Sequence, residues 1–277
     1  MLTRDADLPW DASSAKRLRL DALTKQERNV LEEDLQLVME VQRGLLPQTN
    51  FASSGWHTSY CYEAAGLVSG DYCDVVDGGA AGLYFMVGDV CGKGVAASFL
   101  MAHLHATFRT LIPMELPVKV MLEQASRVLR ATTLPMHYAT LICGRAQANG
   151  TVEICNSGHP LPLLVRDGGV MIVEESGRPF GMFCEEEFSV AEVSLNPGES
   201  LVLYSDGVSE AVDIFGAEYG SNRLRQVVGD RHPMYPSALV AACREDVVSF
   251  CRGAERTDDL TIFVLGRDAA AGAASLQ

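Results

Sequence analysis

The chain has 277 residues, 48% of them hydrophobic, which is enough apolar material for a large core and excludes global disorder. Its 36 acidic and 22 basic residues leave a net charge of −14, which argues against a nucleic-acid or anionic-membrane surface. The acidic excess does not imply a basic partner, because such surfaces mostly serve solubility.

Residues Met1 to Asp11 are partly acidic and lack an apolar core, so no signal peptide is expected. No apolar stretch is expected to reach the ~18 residues of a membrane span, which predicts a cytoplasmic protein. The spacing predicts one long helix from about Ala15 to Leu46, capped by Ser13 or Ser14 and stopped by Pro47. Leu31, Leu35, Val38 and Leu45 form one apolar stripe on it, and Val30, Leu37 and Val41 a second. Two stripes fit either a helix lying on its own core or one that also meets a second chain, and the pattern leaves both open.

From Trp56 onward the pattern is that of strands. Leu83 to Val87 is a continuous apolar run that reads as a buried central strand ending at Gly88-Asp89. Helices follow at Val95–Ile112 and Val118–Ala131. Strands are then predicted at Tyr138–Cys143, Thr151–Cys155, Leu161–Val165 and Val170–Val173, punctuated by Asn149-Gly150 and Asp167-Gly168-Gly169. A strand at Leu201–Tyr204, a helix at Pro236–Cys251 and a closing strand at Leu260–Leu265 complete the order. The tail from Asp268 is rich in alanine and glycine and is expected to fray. This is not a βαβ alternation, so the expected class is a layered α/β (α+β) fold: two antiparallel sheets packed as a sandwich, with helices outside.

None of the eight cysteines form a C-x-x-C pair, so reduced, buried thiols are expected rather than a zinc or disulfide framework. Cys91, inside a glycine loop, reads as a small filler. His103 and His105 fall on different helix faces and are not paired ligands. His159, in Asn156-Ser157-Gly158-His159-Pro160, reads as a turn organiser rather than an acid or a ligand. No G-x-S-x-G nucleophile elbow is present.

Four separated aspartates carry the chemistry: Asp71, Asp89, Asp206 and Asp258. Each lies beside a strand-like apolar run, and most have an adjacent glycine that lets backbone approach a ligand closely. Carboxylates gathered in one place repel one another unless a divalent cation lies between them, and hard oxygen donors suit Mg²⁺ or Mn²⁺. The loop Gly88-Asp89-Val90-Cys91-Gly92-Lys93-Gly94 lacks the spacing of a phosphate loop but leads straight into a helix N-terminus.

Several ordered pieces resemble the SpoIIE/RsbU branch of the PPM, or type 2C-like, metal-dependent serine/threonine protein phosphatases. They are Gln42-Arg43-Gly44-Leu45-Leu46-Pro47, Val68-Ser69-Gly70-Asp71-Tyr72-Cys73-Asp74, the Gly88–Ala97 stretch, Tyr138-Ala139-Thr140, Asn156–Pro160, Leu203–Ala211 and Asp258-Asp259-Leu260-Thr261. Ser69 stands where the family usually has a second glycine, which puts no ligand in doubt.

The resemblance implies two Mn²⁺ or Mg²⁺ ions in a cleft at one end of the sandwich. Asp89 would bridge them, Asp206 and Asp258 would serve one ion, and Asp71 with the backbone carbonyl of Val90 the other. The activity implied is hydrolysis of phosphoserine or phosphothreonine by a metal-activated water, with no phosphoenzyme. Asp74 and Asp259 are given minor roles, behind the ligands or at the surface. The implied substrate is a phosphorylated STAS-domain anti-sigma-factor antagonist in bacterial partner-switching and stress signalling, with an upstream regulator protein as a further partner. Residues 1–48 would be a helical regulatory segment that forms a homodimer, 49–267 the phosphatase domain and 268–277 a flexible tail. Residues 1–48 are too few for a sensor domain. The other reading is a catalytically weak regulatory binding module on the same fold.

Overall fold

The computed structural model describes residues 24–134, 136–183 and 187–268. The first helix, α1 (Lys25–Leu45), begins at a capping box: the Glu27 amide donates to Thr24 Oγ1 at 3.3 Å, and the Thr24 amide donates to Glu27 Oε2 at 2.8 Å. This start is later than the expected one at Ala15; Ser13, Ser14 and Ala15 lie outside the described residues. Leu46 is extended, as the residue before a proline should be, and the helix ends there.

Strands β1 (Asn50–Ser53), β2 (Trp56–Glu63), β3 (Asp71–Asp77) and β4 (Leu83–Val90) lead into helices α2 (Val95–Leu111) and α3 (Val118–Thr132). Strands β5 (Ala139–Ala146), β6 (Thr151–Ser157), β7 (Leu163–Arg166), β8 (Gly169–Ile172), β9 (Ala191–Ser194) and β10 (Ser200–Tyr204) form the meander. Helices α4 (Asp206–Ser209), α5 (Ser221–Asp230) and α6 (Pro236–Cys251) precede the last strand, β11 (Leu260–Arg267). The strands form two wholly antiparallel sheets, ordered β1-β2-β11-β10-β7-β8 and β3-β4-β5-β6-β9. The expected sandwich is therefore the observed one.

The layering follows from the two-residue period of a strand. Along β4, Leu83, Phe85 and Val87 point between the sheets, while Tyr84 and Met86 point out under α2 and α3. Along β11, Phe263 and Leu265 point inward, and Ile262 and Val264 meet α5 and α6. Both faces of each central strand are thus covered, which is why these runs are apolar throughout rather than alternating. Two sheets packed face to face, with helices on each outer face, make four layers.

Two local expectations need correction. The segment Val95–Met114 does have the length and apolarity of a membrane span, contrary to the reading above. Here Ala97, Met101, Leu104 and Phe108 on it are packed into the core against the sheet. Helix α5 was not foreseen, because only Leu224 and Val228 on it are buried and no side chain caps it. The tail begins at Asp268, which is the last residue described in it. Seven cysteines are described and all are free thiols; Cys184 lies outside the described residues.

Candidate active site

Four strand ends meet at one end of the sandwich. Asp71 opens β3 and lies directly opposite Asp89, the next-to-last residue of β4, in the antiparallel register. Asp206 follows β10 and begins α4, and Asp258 sits just before β11, the neighbour of β10. Asp71, Asp89, Val90, Asp206 and Asp258 are therefore brought to the same end. The two sheets are tied there: the Thr261 hydroxyl of β11 donates to Asp71 Oδ2 of β3. Ser205 braces the other side, its Oγ accepting from the Thr261 amide at 2.9 Å.

A side chain would be tight at one of these turns and forbidden by contact at another. A Cβ on Gly70 would stand 3.2 Å from Asp89 Oδ1 and 3.2 Å from the Val90 carbonyl oxygen. A Cβ on Gly207 would stand 1.9 Å from the Asp259 carbonyl oxygen, so α4 can lie on the 258–259 turn only without a side chain there.

Negative charge accumulates at this end. Burial, then the carboxylates of Asp206, Asp258 and Asp259, push Asp89 up to about 7. Asp71 is raised well above the usual carboxylate range by burial first, with Asp89 and Asp259 adding to it and the Thr261 hydroxyl opposing. Asp206 is raised by burial and then by Asp258. Against these stands Lys93, whose Nζ lies 2.9 Å from Asp258 Oδ2 and also donates to the Thr257 carbonyl at 2.9 Å.

The family model for Stage II sporulation protein E (SpoIIE) matches residues 79–268, more than half of the chain. The chain belongs to the SpoIIE family. Among relatives, it is 28% identical to phosphoserine phosphatase RsbP of Bacillus subtilis over 187 residues, covering 65% of this chain and 46% of that protein. It is 24% identical to protein IcfG of a Synechocystis strain over 264 residues, covering 85% of this chain and 42% of that protein. The chain thus spans less than half the length of these two relatives. Among solved structures, the SiaA-PP2C domain of Pseudomonas aeruginosa matches with a TM-score of 0.75 at 18% identity, covering 87% of this chain and 98% of that one. The phosphatase domain of SpoIIE from Bacillus subtilis, solved with a fragment of its regulatory domain, matches at 0.68 and 20% identity, covering 80% of this chain and 65% of that one. The fold is that of the PP2C phosphatases.

The donor set of this SpoIIE-family domain fits hard divalent cations. It offers carboxylates and a carbonyl, no thiolate, and a field that already favours protons on Asp71 and Asp89. As the side chains lie, no three described His, Cys, Asp or Glu groups close on a single point. Asp258 accounts for part of this: Oδ2 accepts from Lys93, and Oδ1 accepts from the Asp259 amide at 3.0 Å. A cation at Asp258 has to displace Lys93 or share the carboxylate with it.

The raised carboxylates give a signed expectation for stability with metal chelated. Asp89 titrates near 3.9 in the unfolded chain and about 7 in the fold, so between those values the folded state holds a proton that the unfolded state has lost. Stability is then full below about pH 4 and falls as pH rises through about 7, by at most roughly 4 kcal/mol from this group. Thermal unfolding in EDTA between pH 5 and pH 8 measures the slope. Asp89→Asn is expected to flatten it, and an unchanged slope would remove Asp89 from its origin.

Asp259, expected in a minor role, organises the loop behind Asp71. Its Oδ1 accepts from the Ala65 amide and its Oδ2 from the Gly70 amide, each at 2.8 Å. Asp74 needs correction. It is neither behind the ligands nor at the surface, but fully buried and held by both Nε and Nη2 of Arg109, at 2.8 and 2.6 Å. His159 is buried, and its turn is closed by Asn156: the His159 amide donates to Asn156 Oδ1 at 2.8 Å, and Asn156 Nδ2 donates to the His159 carbonyl at 3.0 Å. Burial holds its imidazole down to about 3, and Nδ1 lies 2.9 Å from Thr140 Oγ1 of β5, so the side chain that organises the turn is that of Asn156 and not, as expected, that of His159. Cys91 is a loop filler whose Sγ accepts from the Tyr138 amide at 3.2 Å.

Two contributors escaped the sequence reading as site residues. Lys93 was read only as part of a glycine loop. Gln42 was read only as part of a motif, yet its buried amide pairs with a loop backbone as a strand would. Nε2 donates to the Ser69 carbonyl at 2.7 Å, and Oε1 accepts from the Ser69 amide at 3.0 Å. Ser69 Oγ in turn accepts from the Asp71 amide at 3.0 Å. The helix is thereby fastened to the segment that carries Asp71.

One substitution tests the close packing at α4. Gly207→Ala is expected to lower phosphatase turnover about 100-fold, because the 1.9 Å contact forces Asp206 and Asp258 apart. Turnover of p-nitrophenyl phosphate in Mn²⁺ checks it, and wild-type turnover would show that the two aspartates need no fixed spacing.

Proposed function

We propose that this domain is a metal-dependent protein phosphatase that hydrolyses phosphoserine and phosphothreonine, using two Mn²⁺ or Mg²⁺ ions. The observation that carries the reading is the convergence of Asp71, Asp89, Asp206 and Asp258 at one end of the sandwich with their charge so poorly offset. Asp89 would face both ions, Asp206 and Asp258 one of them, and Asp71 with the Val90 carbonyl the other. Bound there, the cations would supply the positive charge that acidifies a water and draws charge from phosphoryl oxygens. The protein's own part is positional. Thr261 fixes the Asp71 carboxylate, Asp259 fixes the loop beneath it, and Lys93 carries an exposed positive charge at the rim for an arriving phosphate. The relative named phosphoserine phosphatase supports phosphoserine as the group attacked.

The substrate in this reading is a phosphorylated STAS-domain protein, an anti-sigma-factor antagonist in partner-switching signalling. The test is hydrolysis of p-nitrophenyl phosphate in Mn²⁺, Mg²⁺ and EDTA, then incubation with phosphorylated STAS proteins from the same genome. Metal-dependent turnover of both supports the reading. No turnover of either in any metal would leave a binding module on a phosphatase fold.

Helix α1 fits a homodimer contact that also regulates the site. It meets its own domain near its C-terminal end, through Gln42, Leu45 and Leu46, while Val30, Leu37 and Val41 are 52%, 59% and 67% exposed. A shift of α1 would pass through Gln42 and Ser69 to Asp71, and Mg²⁺ and Mn²⁺ sites tolerate little distortion. The double variant Leu37→Glu with Val41→Glu, on the exposed stripe, is expected to halve the mass in solution and to change turnover. A wild-type protein already monomeric at micromolar concentration, or a variant unchanged in mass and turnover, overturns the dimer.

A further inference from the structure

Next to the carboxylate cluster lies a cavity of about 170 Å³. Its apolar walls are Ala211 and Val212 after α4, and Val247, Val248 and Cys251 from the last turns of α6, with Glu210, Arg256 and Thr257 adding a polar side. Its edge is shared with the site itself, since Gly207 and Asp258 line both. A cavity of about 150 Å³ lined by apolar side chains accepts a benzene ring, so this one has room for a single aliphatic side chain. Val247 at its base is buried, whereas Val248 is 46% exposed, so the cavity opens outward.

The outer wall continues into a rigid projection. Residues 212–218 form a tight hairpin, with Val212 bridging Glu218. Asp213 pins its turn, with Oδ1 accepting from the Phe215 amide at 2.8 Å and from the Ala217 amide at 2.9 Å. This fixed turn carries Ile214 and Phe215 out into solvent, at 57% and 76% exposure. An apolar cavity and an apolar tip on a rigid turn, both adjoining the carboxylates, have the character of a recognition surface.

We propose that this cavity is a specificity subsite for an aliphatic side chain close in sequence to the phosphoserine of the protein substrate, with Phe215 packing on the same segment. The proposal rests on the phosphatase reading given above. Its physical ground is adjacency. A phosphate delivered to Asp206 and Asp258 leaves the flanking substrate residues beside Gly207, at the cavity mouth. An aliphatic group entering there leaves water without breaking any hydrogen bond.

The probe is a set of synthetic phosphoserine peptides in which one leucine is moved along a glycine–serine background on either side of the phosphoserine. p-Nitrophenyl phosphate, which has no flanking residue, reports on the carboxylate site alone. One leucine position is expected to raise kcat/KM about tenfold over the all-background peptide, as the burial of one such side chain would. The ratio of the two peptides, read within each protein, is expected to fall to near unity in Val248→Trp, which fills the cavity. It is expected to fall several-fold in Phe215→Ser, whose side chain is too exposed for its loss to unfold the core. Equal rates for all peptides in a wild-type protein that hydrolyses p-nitrophenyl phosphate would overturn the subsite while sparing the phosphatase reading. A leucine preference that survives both variants would place the subsite elsewhere and also overturns the proposal. Failure to hydrolyse either substrate in Mn²⁺ would remove the phosphatase reading and the subsite with it.

Discussion

Asp89→Asn is expected to reduce turnover of p-nitrophenyl phosphate in saturating Mn²⁺ by more than ~100-fold while the fold persists. Asparagine keeps the shape of the side chain and removes only its charge. Asp89 is crowded by the others: strand register sets it opposite Asp71, and burial, with Asp206, Asp258 and Asp259 adding to it, pushes it up to about 7. Even residues that merely support a ligand cost 10–100-fold when lost, so a proposed bridging ligand should cost more than about 100-fold. Asp206→Ala is expected to behave alike. With metal removed, both variants should unfold no sooner than the wild type near neutral pH, since each relieves repulsion. Turnover above about a tenth of the wild-type value in either would remove that residue from the centre.

Arg109→Met is expected to cost stability rather than chemistry, by about 3 kcal/mol and on the order of 10 °C in Tm. Asp74 has no exposed surface, and Arg109 holds both of its oxygens. The remaining donors are weaker. The Val75 amide lies at 2.8 Å and the Tyr72 hydroxyl at 3.4 Å, and burial lowers the pKa of His105, which opposes its protonation beside Asp74. Without the guanidinium a buried carboxylate is left largely uncompensated, which is the costly case. The double variant Asp74→Asn with Arg109→Met is expected to recover part of the loss, because it removes the stranded charge as well. A double variant no better than Arg109→Met alone would show that Arg109 stabilises by packing its stem, not by pairing.

The aspartates are legible because each stands at the end of an apolar run, three of them beside a glycine. Such a position is rare enough locally to signal a purpose. The central strands were legible for a similar reason: Leu83 to Val87 is apolar at every position, as a strand covered on both faces must be. Helix α5 was not, since two buried residues make too narrow a stripe to stand out.

Asp71 and Asp74 show where local pattern stops. Both are acidic residues of one strand, three positions apart, so the alternation of β3 sends them to opposite faces. The sequence determined that much. Only the stacking of layers decided that one face holds Thr261 of the second sheet and the other holds Arg109 of α2. The same holds for Lys93 with Asp258 and for Gln42 with Ser69, pairs 165 and 27 residues apart. Sequence by itself determined the acidic residues, the strand ends that present them and the glycines that clear space around most of them. The register that sets Asp71 opposite Asp89, and the packing that turns β3, β4, β10 and β11 toward a common end, came from the tertiary structure. Register and sheet stacking are fixed by many core contacts between distant segments acting together, and no single stretch of chain carries that sum.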